Sequence, residues 1–254
     1  MDMNATQRRM ELFALLQREG SVSVRDLAAR FGVTAMTIRR DLSLFEWQGL
    51  ITTNYGGAVL KRGTGIEPSF AFKRGQKMEA KQRIAQKAAA YISDGDTVIL
   101  DCGTTTLELL HYIGRKKITL ITNSWPAVSY LHGNPHVKLY LAPGKYDTVS
   151  AGAICSMTIA FFQAFHADIV FMGTHGFCPD YGATVPDPMD ASVKSALLKQ
   201  GKMKLLLADS SKMGQICFSQ YALPDQFDTL ITDENISREM RLSLEEHCPA
   251  VEVV

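Results

Sequence analysis

The chain lacks any Cys-x-x-Cys pair. Its five cysteines, Cys102, Cys155, Cys178, Cys217 and Cys248, are scattered. That pattern excludes a disulfide framework and fits free thiols in a reducing compartment. The six histidines show no ligand spacing, so neither a metal nor another cofactor is expected. No run of about 20 apolar residues occurs, which excludes a spanning helix and any membrane role through one. The longest apolar region, 160–173, is broken by Gln163, His166 and Asp168. The amino terminus is polar, without a signal-peptide core, so the expected location is the cytoplasm. Internal repeats and low-complexity tracts are missing too. Net charge is only +1. A nucleic-acid role therefore requires a local basic patch.

What is present is an ordinary folded composition, 46% apolar and 21% charged over 254 residues, enough for one or two domains. Residues 1–60 read as three helices and a short hairpin. Leu12, Leu15 and Leu16 give a first helix its apolar face, and Gly20 stops it. Ser23 and Asp26 form a capping pair for a second helix through Phe31. Gly32 makes a turn, Thr34 caps a third helix over 34–48, and Gly49 ends it. Strands then flank a turn at 54–57. Residues 61–77, with mixed charge and two early glycines, read as a linker. From 78 onward, apolar strand candidates (97–100, 118–121, 137–141, 169–172, 205–208, 229–232) mostly alternate with helices. Continuous apolar strands between helices predict an α/β domain over 78–254, its mainly parallel sheet covered on both faces.

The first region has the pattern of a helix-turn-helix. Such a motif places its second helix in the major groove, where all four base pairs are distinguishable. The third helix opens on Thr34, Ala35, Met36 and Thr37, side chains short or flexible enough for close approach to base edges. Arg39 and Arg40 follow, suited to phosphate or guanine. Residues 1–62 carry nine Lys or Arg against six Asp or Glu, so the basic excess lies where phosphate contacts are wanted. Asp41 reads as a structural ion-pair partner. The bland alternative is a three-helix domain that binds protein.

In the second region the richest motif is Asp101-Cys102-Gly103-Thr104-Thr105-Thr106, after a strand and at a helix start. Glycine allows close backbone approach, and amides with threonine hydroxyls supply donors to an anion. Alone, the motif serves equally as a threonine-capped helix. Its context adds Lys81 on the preceding helix, then Asn123, Gly144 with Lys145, and Lys212, each after an apolar run. Such clusters converge on the carboxyl rim of an open sheet, where they suit a phosphorylated, hydroxyl-rich ligand. Trp47 and Trp125 read as packing residues.

Two sets of residues resemble the DeoR family of bacterial regulators. The first is Arg8-x3-Leu12-x3-Leu16, Thr34-x2-Thr37-Ile38-Arg39-Arg40-Asp41-Leu42 and Tyr55-Gly56-Gly57-Ala58. The second runs from Lys81 through Asp101-x-Gly103-Thr104-Thr105, Thr122-Asn123, Ala167-Asp168, Gly173, Gly176 and Lys194 to Ala208-Asp209-x2-Lys212. The resemblance implies a winged helix-turn-helix followed by a sensor domain similar in fold to ribose-5-phosphate isomerase. Family members often carry basic residues in the wing strand, where this chain has Thr52-Thr53. That leaves Asn54 and backbone amides to meet phosphate. The isomerase's phosphate loop corresponds to Gly103, Thr104 and Thr105, with Lys81 and Lys212 as helpers and Asp168 and Lys194 as holders of sugar hydroxyls; Asp168 serves equally as a cap at the end of a helix–strand turn. Its acid–base carboxylates are missing: Phe165 and Val193 stand in two of their places.

The expectation is therefore a non-enzymatic repressor of sugar or sugar-acid catabolic genes. It binds a duplex DNA operator as a homodimer or homotetramer, and a phosphorylated sugar controls its affinity. The alternative is an isomerase-like enzyme with an accessory helix-turn-helix.

Overall fold

Small polar residues and glycines set the helix boundaries near the amino terminus. In the computed structural model, which describes residues 4–254 except Gln48, Arg62, Thr64 and Ile66, α1 (Ala5–Glu19) starts on Asn4 and ends on Gly20 at φ 76°. Gln48, placed at the end of the third helix by sequence, and three members of the 61–77 segment lie outside the described residues. So do the side chains of Thr6 and Gln17. The Ser23 side chain caps α2 (Val24–Phe31), and Gly32 closes it in the left-handed region. Thr34 Oγ accepts from Thr37 N at 3.2 Å and opens α3 (Ala35–Trp47).

Three strands complete this unit: β1 (Ser21–Ser23), β2 (Ile51–Thr53) and β3 (Gly57–Leu60), in the order β1-β3-β2. Gly57 is sterically required, because a Cβ there would lie 1.9 Å from the Val22 carbonyl oxygen. The core is Leu12, Leu16, Ile38, Leu42 and Phe45, all essentially inaccessible. Each such side chain contributes about 1.5–3 kcal/mol of burial.

The chain divides into two compact units between Gln76 and Lys77. Within the segment read as a linker, α4 (Phe70–Arg74) is a helix capped by Ser69. Its Phe72 ring packs on Phe13 and Phe45, with centroids 4.4 and 5.6 Å away. Two phenylalanines in a short polar stretch bury more apolar surface by docking than by remaining solvated, so this stretch joins the first core.

The second unit begins with α5 (Met78–Ala89). Its main sheet holds β4 (Thr97–Leu100), β5 (Ile118–Thr122), β6 (Val137–Leu141), β9 (Ala167–Met172), β12 (Gly201–Leu207), β14 (Thr229–Thr232) and β15 (Val251–Val253). The order is β15-β14-β12-β9-β4-β5-β6, and every neighbouring pair is parallel. Consecutive residues such as Val98, Ile99 and Leu100 are all buried. Because they point to opposite faces, both faces are covered.

Crossovers include α6 (Thr104–Glu108), α7 (Leu110–Ile113), α8 (Trp125–Leu131), α9 (Ser156–Phe162), α10 (Pro188–Leu198) and α11 (Arg238–His247). A hairpin, β7 (Tyr146–Asp147) with β8 (Gly152–Ala153), and a small sheet of β10 (Gly176–Cys178), β11 (Gly182–Val185) and β13 (Ser219–Ala222) complete the unit. Strand order reverses direction between β4 and β9. In an open parallel sheet, that reversal opens a crevice at the carboxyl ends of the two strands.

Candidate functional site

In the first unit the outward face of α3 is built by phase. Ile38, Asp41, Leu42 and Phe45 point inward, which leaves Thr34, Met36, Arg39 and Arg40 exposed and Ala35 and Thr37 half-buried. Asp41 receives Arg8 Nε at 2.7 Å and Arg9 Nε at 2.6 Å. It therefore pins α3 to α1 and stays out of the outward face. Asn54 Oδ1 accepts from Gly56 N at 3.2 Å, shaping the wing turn. Thr53 donates through both N and Oγ to Glu46, at 2.8 and 2.6 Å, and these bonds hold the Glu46 carboxyl below its ordinary pKa.

Trp47 is 81% exposed and Trp125 55% exposed, so neither packs as expected. Trp47 lies two residues past Phe45, off the buried stripe, and a careful count of that stripe would have shown it.

In the second unit the Gly103 loop lies at the sheet's reversal point. Asp101 follows β4, and its carboxylate is fully occupied. Oδ1 accepts from Gly103 N at 2.8 Å and Thr106 Oγ at 2.6 Å. Oδ2 accepts from Gly173 N at 2.8 Å, beyond the end of β9, and from Lys194 Nζ. Four donors use the roughly four lone-pair sites of an ionised carboxylate. Asp101 and Thr106, expected as ligand contacts, here bond each other and shape the loop. Burial alone would push the Asp101 carboxyl up; the Lys194 charge and these bonds outweigh it and hold it down. Lys194 is also buried, and Asp101 with Asp190 keeps its ammonium well above the ordinary range despite desolvation. Lys194 also donates to the Gly173 carbonyl at 3.2 Å, and so does the Tyr221 hydroxyl, at 2.9 Å. Lys194, expected as a sugar contact, stands here as the internal counter-charge of Asp101. Sequence reasoning missed Tyr221, since nothing in its spacing marks it.

Thr104 and Thr105, both buried, open α6 directly after Gly103. The first intrahelical bond runs from Leu107 N to Gly103 O, so the amides of 104–106 have no helical acceptor. Lys81 is buried on α5, which packs against α6. Asn123 follows β5, Gly144 and Lys145 follow β6, and Lys212 lies in a short 3-10 turn after β12. All stand at the carboxyl rim. Gly144 is wedged, since a Cβ would lie 2.4 Å from Thr158 Oγ, and its neighbour Lys145 is exposed. Cys155, which accepts from Lys145 N at 3.4 Å, has its thiol lowered to about 7 by that bond and by Thr158.

Asp168 stands apart from the loop and caps backbone, the second of its two expected roles. Its Oδ2 accepts from Thr97 N at 2.8 Å. Thr97 begins β4, whereas Asp101 follows its end. Asp168 therefore lies at the amino edge of the sheet, opposite the Gly103 loop. Asp168 is the second residue of β9, and where strands run parallel their first residues share that edge.

Among the described residues no helix is long and apolar enough to cross a membrane, and no cluster of three His, Cys, Asp or Glu could hold a metal. Open grooves of about 570 and 530 Å³ occur between α1, α2 and the wing, and between α9, α10 and β13. Neither is lined by the Gly103 loop.

Comparison with known proteins matches residues 8–64 to the DeoR-like helix-turn-helix domain and residues 76–234 to the DeoR C terminal sensor domain. The regulator FruR of Bacillus subtilis is 31% identical over 87% of this chain and 88% of its own length. The glycerol-3-phosphate regulon repressor of Escherichia coli is 28% identical over 91% of this chain and 92% of its own. Among solved structures, ribose 5-phosphate isomerase A of Methanocaldococcus jannaschii aligns with 54% of this chain and 55% of that one, at 14% identity and TM-score 0.41. That partial likeness carries no functional weight.

Proposed function

The chain belongs to the DeoR family of transcriptional regulators, and we propose that it represses sugar-catabolic genes by holding a DNA operator until a phosphorylated sugar binds its second unit. DNA binding belongs to the family's helix-turn-helix. The outward face of α3 supports a division of labour within it. Thr34, Ala35, Met36 and Thr37 approach base edges, and Arg39 and Arg40 take phosphate or guanine. Asn54 braces the wing through Oδ1 while its side-chain Nδ2 meets backbone phosphate.

The observation that carries the effector assignment is the Asp101-braced Gly103 loop at the sheet's reversal point. Its free amides, with Thr104 and Thr105, form a neutral donor set for an anion. Lys81, Lys212 and Lys145 supply positive charge around the same rim. The relatives' printed names, a glycerol-3-phosphate regulon repressor among them, agree with a phosphate ester.

Turnover is disfavoured by the same geometry. A general base needs a free lone pair, and Asp101 has four donors on its carboxylate. Asp168 lies at the other edge of the sheet. The effector must bind the DNA-competent and DNA-incompetent arrangements with different affinity, or it shifts nothing. Reading paired half-sites calls for a symmetric dimer or tetramer, with the cytoplasm as its expected location.

The test is fluorescence anisotropy on labelled DNA from upstream of the protein's own operon, titrated with sugar phosphates. Saturable, salt-sensitive binding weakened by one phosphosugar is the expected result. Equal affinity for random duplex, with no phosphosugar effect, overturns the proposal.

A further inference from the structure

Two buried oxygens have no hydrogen-bond partner among the described residues, Asn123 Oδ1 and Ser150 Oγ, and both belong to segments that meet at Cys102, the residue before Gly103. Asn123 is 2% exposed and Ser150 5%. A buried polar atom left unpaired is costly, and such atoms are few in native proteins.

The two residues belong to segments laced together. Ala153 N donates to the Asn123 carbonyl at 2.9 Å, and Trp125 N donates to the Ala151 carbonyl at 3.1 Å. Asn123 Nδ2 donates to the Ala153 carbonyl at 3.0 Å. That last bond fixes the amide's orientation, because a carbonyl only accepts, so the side-chain oxygen is the unpaired atom. Gly152 lies against Cys102 and Asn123. A Cβ there would meet Cys102 Cβ at 2.7 Å and the Asn123 carbonyl oxygen at 3.2 Å. The β7–β8 hairpin thus covers the residue that precedes Gly103. Between Ser150 and Gly152, Ala151 has φ 57°, a left-handed conformation costly for a residue with a side chain. Strain of this kind persists where the surrounding structure enforces it, and it clusters at ligand clamps.

We propose that Asn123 and Ser150 form a hydroxyl-reading subsite, which makes the β7–β8 hairpin the specificity element of the effector site. This rests on the phosphate-loop reading above. The loop grips the anion, and Asn123 Oδ1, purely an acceptor, selects ligands that present a hydroxyl donor beside it. Ser150 supplies a hydroxyl able to donate and accept in the same network. The ligand class is a polyhydroxylated phosphate ester, and inorganic phosphate satisfies only half of the site.

The experiment compares full-length wild type with Ser150→Ala and Asn123→Ala. Calorimetry measures binding of inorganic phosphate and of a panel of hexose, pentose and triose phosphates. The expected result is that each variant loses about tenfold in affinity for the preferred sugar phosphate, while affinity for inorganic phosphate is unchanged. Ligand-free Ser150→Ala should melt no lower than wild type, because the replaced hydroxyl makes no internal bond. A lower melting temperature would assign Ser150 a structural role and overturn the proposal. So would variants that bind the sugar phosphate as wild type does, or that lose both ligands equally. A wild-type protein blind to every phosphate would instead overturn the phosphate-loop reading, and this subsite with it.

Discussion

The two units deploy charge in opposite ways. In the first, Arg39 and Arg40 stand exposed on the outward face of α3, while Arg8 and Arg9 are tied to Asp41 beneath it. In the second, Asp101 and Lys194 are buried against each other, and the adjoining Gly103 loop carries buried, neutral threonines. A surface that reads a polyanion gains from displayed cations, each replaceable without harm to the fold. A pocket that recognises one small anion gains from rigid donors held by an internal ion pair, and removing either partner of that pair should be felt throughout the unit. Each unit carries one tryptophan, Trp47 in the first and Trp125 in the second. Single-tryptophan backgrounds therefore report the two separately.

Lys194→Met should break the contrast most severely. It strands the Asp101 carboxylate in the interior, at a cost of about 3–5 kcal/mol to the second unit. In wild type the folded Asp101 pKa is depressed and that of Lys194 raised. The pair's stabilisation is therefore fully present above the unfolded Asp value of about 3.9 and below the unfolded Lys value of about 10.4. It is lost as pH falls through Asp101's lower folded value or rises through Lys194's higher one. In the variant, burial without the counter-charge raises the Asp101 pKa, so the stability deficit should shrink as pH falls toward 5. Urea melts read at Trp125 across pH check this. A deficit independent of pH would show that Lys194 acts through packing alone.

Asp41→Ala tests the same logic in the first unit with a smaller effect. Arg8 is buried, but Arg9 is partly exposed and keeps some hydration. A loss of about 2–4 kcal/mol at Trp47, with Trp125 unaffected, is expected. A fall at both reporters would mean that the units do not unfold separately.

Arg39→Ala and Arg40→Ala should leave both melts within about 0.5 kcal/mol of wild type. Each should weaken operator binding about tenfold. For an arginine on phosphate, the salt slope should also fall by about one, whereas an arginine on guanine should relax specificity at one base pair. Unchanged DNA affinity in both variants would remove the reading face from α3.

The sequence made legible those elements whose cause is local. Gly20, Gly32 and Gly49 all adopt positive φ where helices were expected to end, and Ser23 and Thr34 cap where expected. Apolar runs located six strands of the main sheet, and Gly103 followed one of them. What escaped depends on distant partners. The three residues of β1 are a strand only because β3 lies beside them. The β7–β8 hairpin and the sheet of β10, β11 and β13 are short pieces ordered by tertiary contacts. Phe70 and Phe72 turned a linker into a helix because a core lay within reach. The roles of Asp101 and Lys194 escaped for the same reason. Residue type and loop position marked Asp101 as a ligand and the family resemblance marked Lys194, whereas 93 residues of separation concealed that they bind each other.

Asp168→Ala carries the smallest expected effect and sharpens the contrast from the other side. Family resemblance groups Asp168 with the sensor's polar residues, yet topology places it at the amino edge of the sheet. There it accepts one backbone amide, that of Thr97, at an exposed position. Losing an exposed hydrogen bond costs about 0.5–1.5 kcal/mol. The substitution should lower the Trp125 melt by that amount and leave sugar-phosphate affinity and operator release as in wild type. A variant that folds normally but loses effector binding would contradict the parallel register of β4 and β9. That register alone puts Asp168 and the Gly103 loop at opposite ends of adjacent strands.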